Sequence, residues 1–283
     1  MSLLGGRISR RTFIARTGSP ALAGLAMSAG RHAAGRSAPP PRSLALIGDR
    51  YHNADFIRVA LSRLFKSLDL SLEFTINYET ISADRLKGYQ LFLCFRDGMI
   101  WPGGYLGPDA YSYTGELENS QDWAKEKPEG WIQEAQGKAL KEFVLAGNGF
   151  YALHNSSHIS LYSKDYREVM GGAYLGHPPL RPFKVRIANP DHPITKGVSD
   201  FIVADEQHYV TYDKDPASVL LKSENIDGLS YENLGTQALA GWAYEYGKGR
   251  VVFTAPGHTL HAMWQPDYFK IQQNAVRWLL RLA

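Results

Sequence analysis

The sequence predicts an α/β fold in which a mostly parallel sheet carries helices on both faces. Three observations point there. Short, continuously apolar runs such as Leu44–Ile47 and Leu91–Phe95 read as strands buried on both sides. Between them lie stretches whose apolar residues recur at helical spacing. Strand and helix alternate through the first half of the chain, and short right-handed crossovers turn that order into a parallel sheet.

In order, Leu44 to Gly48 is the first strand. Asp55 to Leu68 is a helix with Phe56, Val59, Ala60, Leu64 and Leu68 on one face. Leu72 to Ile76 is the second strand and Leu91 to Phe95 the third. Lys138 to Ala146 is helical, and Gly147-Asn148-Gly149 stops it. Phe150 to His154 is the fourth strand. Later, Phe183–Ala188, Val219–Lys222, Ala238–Tyr246 and Val251–Thr254 read as strands, some pairing antiparallel, and Tyr268–Leu282 closes the chain as a helix.

The segment Arg96–Trp131 resists regular assignment. It is rich in Gly, Pro and aromatics: Trp101, Tyr105, Tyr111, Tyr113, Trp123 and Trp131. Loops this long inside a domain are usually functional. This one leaves the end of the third strand, where α/β sheets place their ligands. Its aromatic faces suit the CH-rich faces of sugars; the competing expectation is a loop packed on its own aromatics.

The first 42 residues are set apart by composition. They hold seven arginines and no carboxylate. Ser9-Arg10-Arg11-Thr12-Phe13-Ile14 resembles a twin-arginine export motif, a weakly apolar stretch Ala21–Met27 follows, and Pro39-Pro40-Pro41 comes last. That order is expected of a removable signal and linker over residues 1–42, which implies a periplasmic or extracellular destination. The apolar stretch is far shorter than the ~20 residues of a membrane-spanning helix. Setting these residues aside takes the formal charge from +3 to −4, so neither nucleic acid nor a membrane is expected as partner. Residues 43–283 are enough for one large domain. The single cysteine, Cys94, lies in an apolar run and is expected in the core.

Chemistry is expected from histidines. Nine are present, and His32 lies in the leader. His52 follows the first strand, and His154 ends the fourth, with His158 four residues on. His177 follows Gly176, Asp205-Glu206-Gln207-His208 forms an acidic and imidazole cluster, and His258 follows Gly257 with His261 close by. Imidazole transfers protons or binds metal near neutral pH, and a carboxylate beside it suits a divalent cation. A metal is an open expectation, with His154, His177, Glu206 and His258 as its candidate ligands. The spacings match no H-E-x-x-H or paired-cysteine signature. There is no G-x-S-x-G elbow around Ser156 and Ser157, no G-x-G-x-x-G after a strand and no P-loop, so no nucleotide cofactor is expected.

Gly149-Phe150-Tyr151-Ala152-Leu153-His154, Gly171-Gly172-Ala173-Tyr174 with His177-Pro178, Asp205-Glu206 with His208-Tyr209, Trp242, Gly247–Thr254 with Gly257-His258, Trp264 and Trp278 together resemble the ThuA-like, trehalose-utilisation pattern. The resemblance spans residues 44–282. It implies a flavodoxin-like sheet of the class I glutamine amidotransferase kind. In that superfamily the nucleophile elbow carries a cysteine; here the strand runs into His154, so no amidotransferase is expected. The resemblance also implies a small-molecule carbohydrate, a disaccharide or keto-sugar, as substrate. On that footing His154 and His258, with Glu206, would act as acid and base or as metal ligands. His52, His177 and His208 would orient the substrate, and Trp101, Tyr105, Trp242 and Trp264 would form its walls. The competing expectations are a non-catalytic sugar-binding protein and an interaction scaffold built on the 96–131 loop.

Overall fold

In the computed structural model, residues 39–101 and 127–282 are described. The signal expected over residues 1–42 and the aromatics Tyr105, Tyr111, Tyr113 and Trp123 therefore fall wholly or mostly outside the described residues. Thirteen strands are described: β1 (Ser43–Ile47), β2 (Glu73–Thr75), β3 (Leu91–Phe95), β4 (Met99–Ile100), β5 (Glu129–Gly130), β6 (Gly149–Leu153), β7 (Tyr174–Gly176), β8 (Arg181–Ile187), β9 (Phe201–Asp205), β10 (Tyr209–Val210), β11 (Val219–Asn225), β12 (Gln237–Tyr246) and β13 (Gly249–Thr254). Nine of them form the main sheet, in the order β2-β1-β3-β6-β13-β12-β11-β8-β9.

From β2 to β13 the neighbours pair parallel; beyond β13 every pairing is antiparallel. Two successive reversals restore direction. Hence β11 and β9 run with the parallel block, and only β12 and β8 run against it. Seven of the nine strands therefore point the same way, and their C-terminal ends share one edge.

The helices are α1 (Ala54–Lys66), α2 (Ala83–Leu86), α3 (Glu134–Leu145), α4 (Lys164–Met170), α5 (Leu260–Met263) and α6 (Pro266–Leu279). They cover both faces, as Phe150 and Tyr151 show. Adjacent residues of a strand point to opposite sides. The ring of Phe150 meets Tyr166 of α4 at 5.6 Å. The Tyr151 hydroxyl lies 3.1 Å from Thr254 Oγ1, which is 2.8 Å from the Tyr268 hydroxyl of α6. β1, β3 and β6 are buried along their whole length, which accounts for their unbroken apolar sequence. None of the described helices is long and apolar enough to cross a membrane.

Several local bounds shift: the helix expected from Lys138 starts at Glu134, the strand expected over Val219–Lys222 runs to Asn225, and that expected over Leu72–Ile76 spans Glu73–Thr75. The buried face of α1 is Ile57, Ala60, Leu61, Leu64 and Phe65, while Val59 is exposed. That stripe puts larger side chains against the sheet than the one centred on Phe56 and Val59. The closing helix starts earlier, at Pro266, because proline's missing N–H costs nothing in a first turn and the Gln265 side chain accepts from the Tyr268 amide at 2.7 Å. Cys94 lies in the core, 1 % exposed, and burial pushes its thiol up to about 12. The folded protein is therefore expected not to react with a thiol reagent at pH 8, whereas denaturant frees one equivalent. Reaction before unfolding would contradict this packing.

Candidate functional site

At the shared C-terminal edge lies a cavity of about 420 Å³, lined by Tyr51, His52, Asp97, Met99, Asn155, His158, Tyr174, His177, Glu206, His208 and His258. Its residues come from the loops after β1, β3, β6, β7, β9 and β13. The antiparallel half of the sheet curls back so that the end of β9 lies against the end of β13. The Asp205 carboxylate fixes this closure, accepting from the amides of Gly257 at 2.5 Å and His258 at 3.2 Å. Burial pushes that carboxyl up to about 7, against the Gly257 and Glu206 amides, which favour the charged form.

Glu206 is the centre of the site. Its Oε2 lies 3.0 Å from His258 Nδ1, 3.5 Å from His154 Nε2, 3.5 Å from His208 Nε2 and 3.6 Å from His177 Nε2. His52 completes the group, with Nε2 3.1 Å from His258 Nδ1. Six residues spread over 207 positions of chain thus meet at one carboxylate.

The outer nitrogens fix the tautomers. His154 Nδ1 lies 2.7 Å from the Ala255 carbonyl, and His177 Nδ1 lies 2.9 Å from the Pro178 carbonyl. A carbonyl only accepts, so both Nδ1 atoms carry a proton and both Nε2 atoms face inward, toward Glu206. His52 Nδ1 lies 2.9 Å from Asp49 Oδ1. Asp49 also accepts from the amides of Tyr51, His52 and Asp97 and from Asn155 Nδ2 at 2.6 Å. Burial works against the Asp49 charge, but the His52 hydrogen bond and charge, with the Asp97 and Tyr51 amides, bring its pKa down to about 2. Burial and the neighbouring His208 hold His154 well below the ordinary imidazole range, and burial brings His208 down to about 4. His258 goes the other way: burial lowers it, but the Glu206 hydrogen bond and charge raise it overall.

His154 sits just past β6 with a left-handed backbone, φ 49°. A non-glycine residue there is uncommon and tends to mark a site where tertiary contacts hold it. Gly257 packs directly on it; a Cβ at that position would come 2.8 Å from the His154 Cβ. Only glycine lets the β13 loop approach this closely.

The structure thus brings together His52, His154, His177, Glu206, His208 and His258. His154 lies behind the others, fully buried and away from the cavity surface. The expected aromatic walls are corrected. Trp242 lies in the core on β12, 0 % exposed, 4.4 Å from the Phe253 ring, with its indole N–H donating to the Met170 carbonyl at 2.8 Å. Trp264 lies under the Arg63 guanidinium, 4.6 Å from α1's arginine and outside the cavity lining. A tryptophan's apolar area makes the core its default place, and nothing in the local sequence marks the exception. Trp101 is buried behind Tyr51, whose ring meets it edge-on at 5.7 Å. Tyr105 lies outside the described residues. The wall is instead made by Tyr51, Tyr174 and Met99.

Three polar residues gain a place that the sequence alone did not assign. Asp49 orients His52, and Asn155 bonds the same carboxylate. Asp97 Oδ1 lies 3.1 Å from His158 Nδ1 at the cavity wall. The spacing Asp49-x-x-His52 was legible as a carboxylate three residues before an imidazole, whereas Asp97 and His158, 61 positions apart, left no local signal.

Comparison with known proteins agrees with the resemblance. Residues 121–279 match the family described as ThuA, trehalose utilisation. No curated protein matches the chain. Among solved structures, a protein of Bacteroides uniformis described as ThuA-like is 16 % identical, with TM-score 0.59 over 86 % of this chain and 93 % of its own. A second, from Parabacteroides merdae, is 15 % identical, with TM-score 0.60 over 86 % and 90 %. A β-galactosidase from a Rahnella species is 15 % identical with TM-score 0.51 over 87 % of this chain, but only 32 % of the enzyme is covered. At such identities the likeness is one of fold, and in the β-galactosidase the fold is one part of a larger chain. The family match spans more than half of the sequence, and with it the chain belongs to the ThuA, trehalose-utilisation family.

Proposed function

We propose that this chain is an exported enzyme acting on carbohydrate derivatives, with a keto-sugar as its substrate class and proton abstraction beside the carbonyl as its chemistry. The observation that carries the reading is the meeting of Glu206 with four imidazoles at the wall of a cavity large enough for a sugar ring. Membership of a family described by trehalose utilisation supports a carbohydrate as substrate.

The chemistry needs two poles. A base takes the proton from the carbon between the ketone and the carbon bearing the glycosidic oxygen. The electron pair of that C–H bond becomes a C=C bond, the C–O bond to the leaving sugar breaks, and the departing oxygen takes a proton. No redox partner is needed. The ketone oxygen gains negative charge on the way, so the His258 imidazole, whose charged form Glu206 favours, lowers the barrier. Asp97 and His158 form the other pole: a carboxylate oxygen lies 3.1 Å from one imidazole nitrogen, and the second nitrogen is left to accept the proton. His177 and His208 orient the sugar, and His154, buried behind Glu206, holds that carboxylate in place.

The fold reading extends to the class I glutamine amidotransferase-like superfamily. His154, with its strained backbone at the end of β6, stands where the resemblance puts the nucleophile. The thiol of Cys94 lies inside the sheet, so the reading keeps the fold and not that reaction. Export by the twin-arginine route is the reading for residues 1–42. Replacing Arg10 and Arg11 together by Lys is expected to leave the protein in the cytoplasm; unchanged export in a fractionation assay would remove it.

The activity is tested by incubating the full chain with trehalose, other disaccharides and their keto derivatives, following products by NMR. Keto-sugars are expected to give a free sugar and an unsaturated product, while His158→Ala slows turnover by ~10²-fold or more. Tight sugar binding with no product from any member of the panel would replace the enzyme by a sugar-binding protein.

A further inference from the structure

We propose that His52, His154, His258 and Glu206 form a binding site for one divalent first-row transition-metal cation. Use of the cation in catalysis rests on the carbohydrate reading above; its binding does not.

The first argument is the direction of the lone pairs. The outer nitrogen of His154 donates to the Ala255 carbonyl, and that of His52 lies 2.9 Å from Asp49 Oδ1 and 2.8 Å from the Asn155 amide nitrogen. The inner Nε2 of the neutral His154 ring is therefore an acceptor, and so is Glu206. His154 Nε2 faces Glu206 Oε2 at 3.5 Å with no hydrogen between them. It is fully buried and has no hydrogen-bond partner. A buried acceptor left facing another acceptor is costly. A cation between them satisfies both.

The second argument is spacing. The four ligand atoms lie within 4.8 Å of one another. Metal bonds of about 2.1 Å place neighbouring ligands about 3.0 Å apart at right angles and about 3.4 Å apart in a tetrahedron. The observed separations are 3.0 Å for Glu206 to His258, 3.1 Å for His52 to His258 and 3.5 Å for His154 to Glu206. The two short ones suit a centre of five or six ligands with positions left for water or substrate on the cavity side, and the third lies just beyond the tetrahedral spacing.

The third argument is the surrounding shell. Metal-bound imidazoles characteristically donate their other N–H to a carboxylate or a backbone carbonyl. Asp49 does this for His52, held in turn by three backbone amides and Asn155, and the Ala255 carbonyl does it for His154. Three imidazoles and one carboxylate suit zinc, iron, cobalt or nickel rather than the oxygen-seeking magnesium or calcium. His177 and His208, also near Glu206, offer two imidazoles and one shared carboxylate, a poorer set. Such a cation would polarise a sugar carbonyl as a Lewis acid.

The test uses the full chain stripped by chelator and then titrated with Zn²⁺ and, separately, Co²⁺. One equivalent is expected to bind, and Co²⁺ is expected to show a visible absorption that Zn²⁺ displaces. His154→Ala and Glu206→Gln are expected to weaken binding by ~100-fold or more, and Asp49→Asn, which leaves every ligand in place, by ~10–100-fold. Replacing the exposed His261 by Ala is expected to change nothing. Circular dichroism of each variant separates lost binding from lost folding, and Asp49→Asn keeps the test open if His154→Ala unfolds. Failure to bind one equivalent, or affinity unchanged in folded Asp49→Asn and Glu206→Gln, overturns the site. Chelator-resistant turnover of a keto-sugar by metal-free protein overturns the use of the cation in catalysis and leaves the carbohydrate reading. A bound cation with no carbohydrate turnover keeps the metal and overturns the other.

Discussion

Glu206→Gln is expected to cut keto-sugar turnover by ~10²-fold or more while the protein stays folded. The substitution keeps the shape of the side chain and removes only its charge. Four imidazole nitrogens lie 3.0–3.6 Å from the Glu206 oxygen, and with the charge gone nothing holds a cation or a proton among them. His258 loses the partner that raises its pKa. The neutral amide also presents an N–H₂ to lone pairs that are already oriented inward, so the geometry survives while its electrostatics do not. Steady-state kinetics beside a thermal melt checks this. Near-normal turnover in folded Glu206→Gln would show that the cluster is structural, and the proposed reaction would lose its electrophilic pole.

Trp242→Ala is expected to destabilise the fold by ~3–5 kcal/mol, the cost of a large cavity in a core that relaxes only in part. For a domain of this size that corresponds to a fall in melting temperature of roughly 10 °C. The indole fills the space between Tyr212, at 4.6 Å, and Phe253, at 4.4 Å, and satisfies the Met170 carbonyl, which the alanine would leave without that bond. Sugar affinity of the folded protein should not change. Urea and thermal denaturation, with a binding titration below the transition, check both halves. A stable variant that lost its ligand would return Trp242 to the site from which the structure removes it.

The two expectations differ in how far the sequence foresaw them. Glu206 was legible because Asp205-Glu206-Gln207-His208 follows an apolar run, and charge beside imidazole after a strand is a local signal. Trp242 was misplaced because a tryptophan reads the same at a sugar-binding wall and in a core. Asp97 and His158 were not legible as a pair, since each is an ordinary loop residue until β3 and β6 lie side by side. The helical face of α1 was legible only to within one position, because Phe56, Ile57, Ala60 and Leu61 support two adjacent stripes.

The sequence by itself determined the alternation of elements, the buried strands β1, β3 and β6, the core position of Cys94 and the set of imidazoles at loop ends. These follow from patterns within about fifteen residues, where periodicity and turn chemistry act. Tertiary structure alone decided that the imidazoles meet. β9 stands at the far end of the sheet from β6, so a flat sheet would hold Glu206 and His154 several strands apart. The curl of the antiparallel half, fixed by Asp205 on the Gly257 and His258 amides, closes that distance. Sheet curvature is a property of the whole packed assembly, set by twist and by the helices on each face, and no local stretch of sequence encodes it.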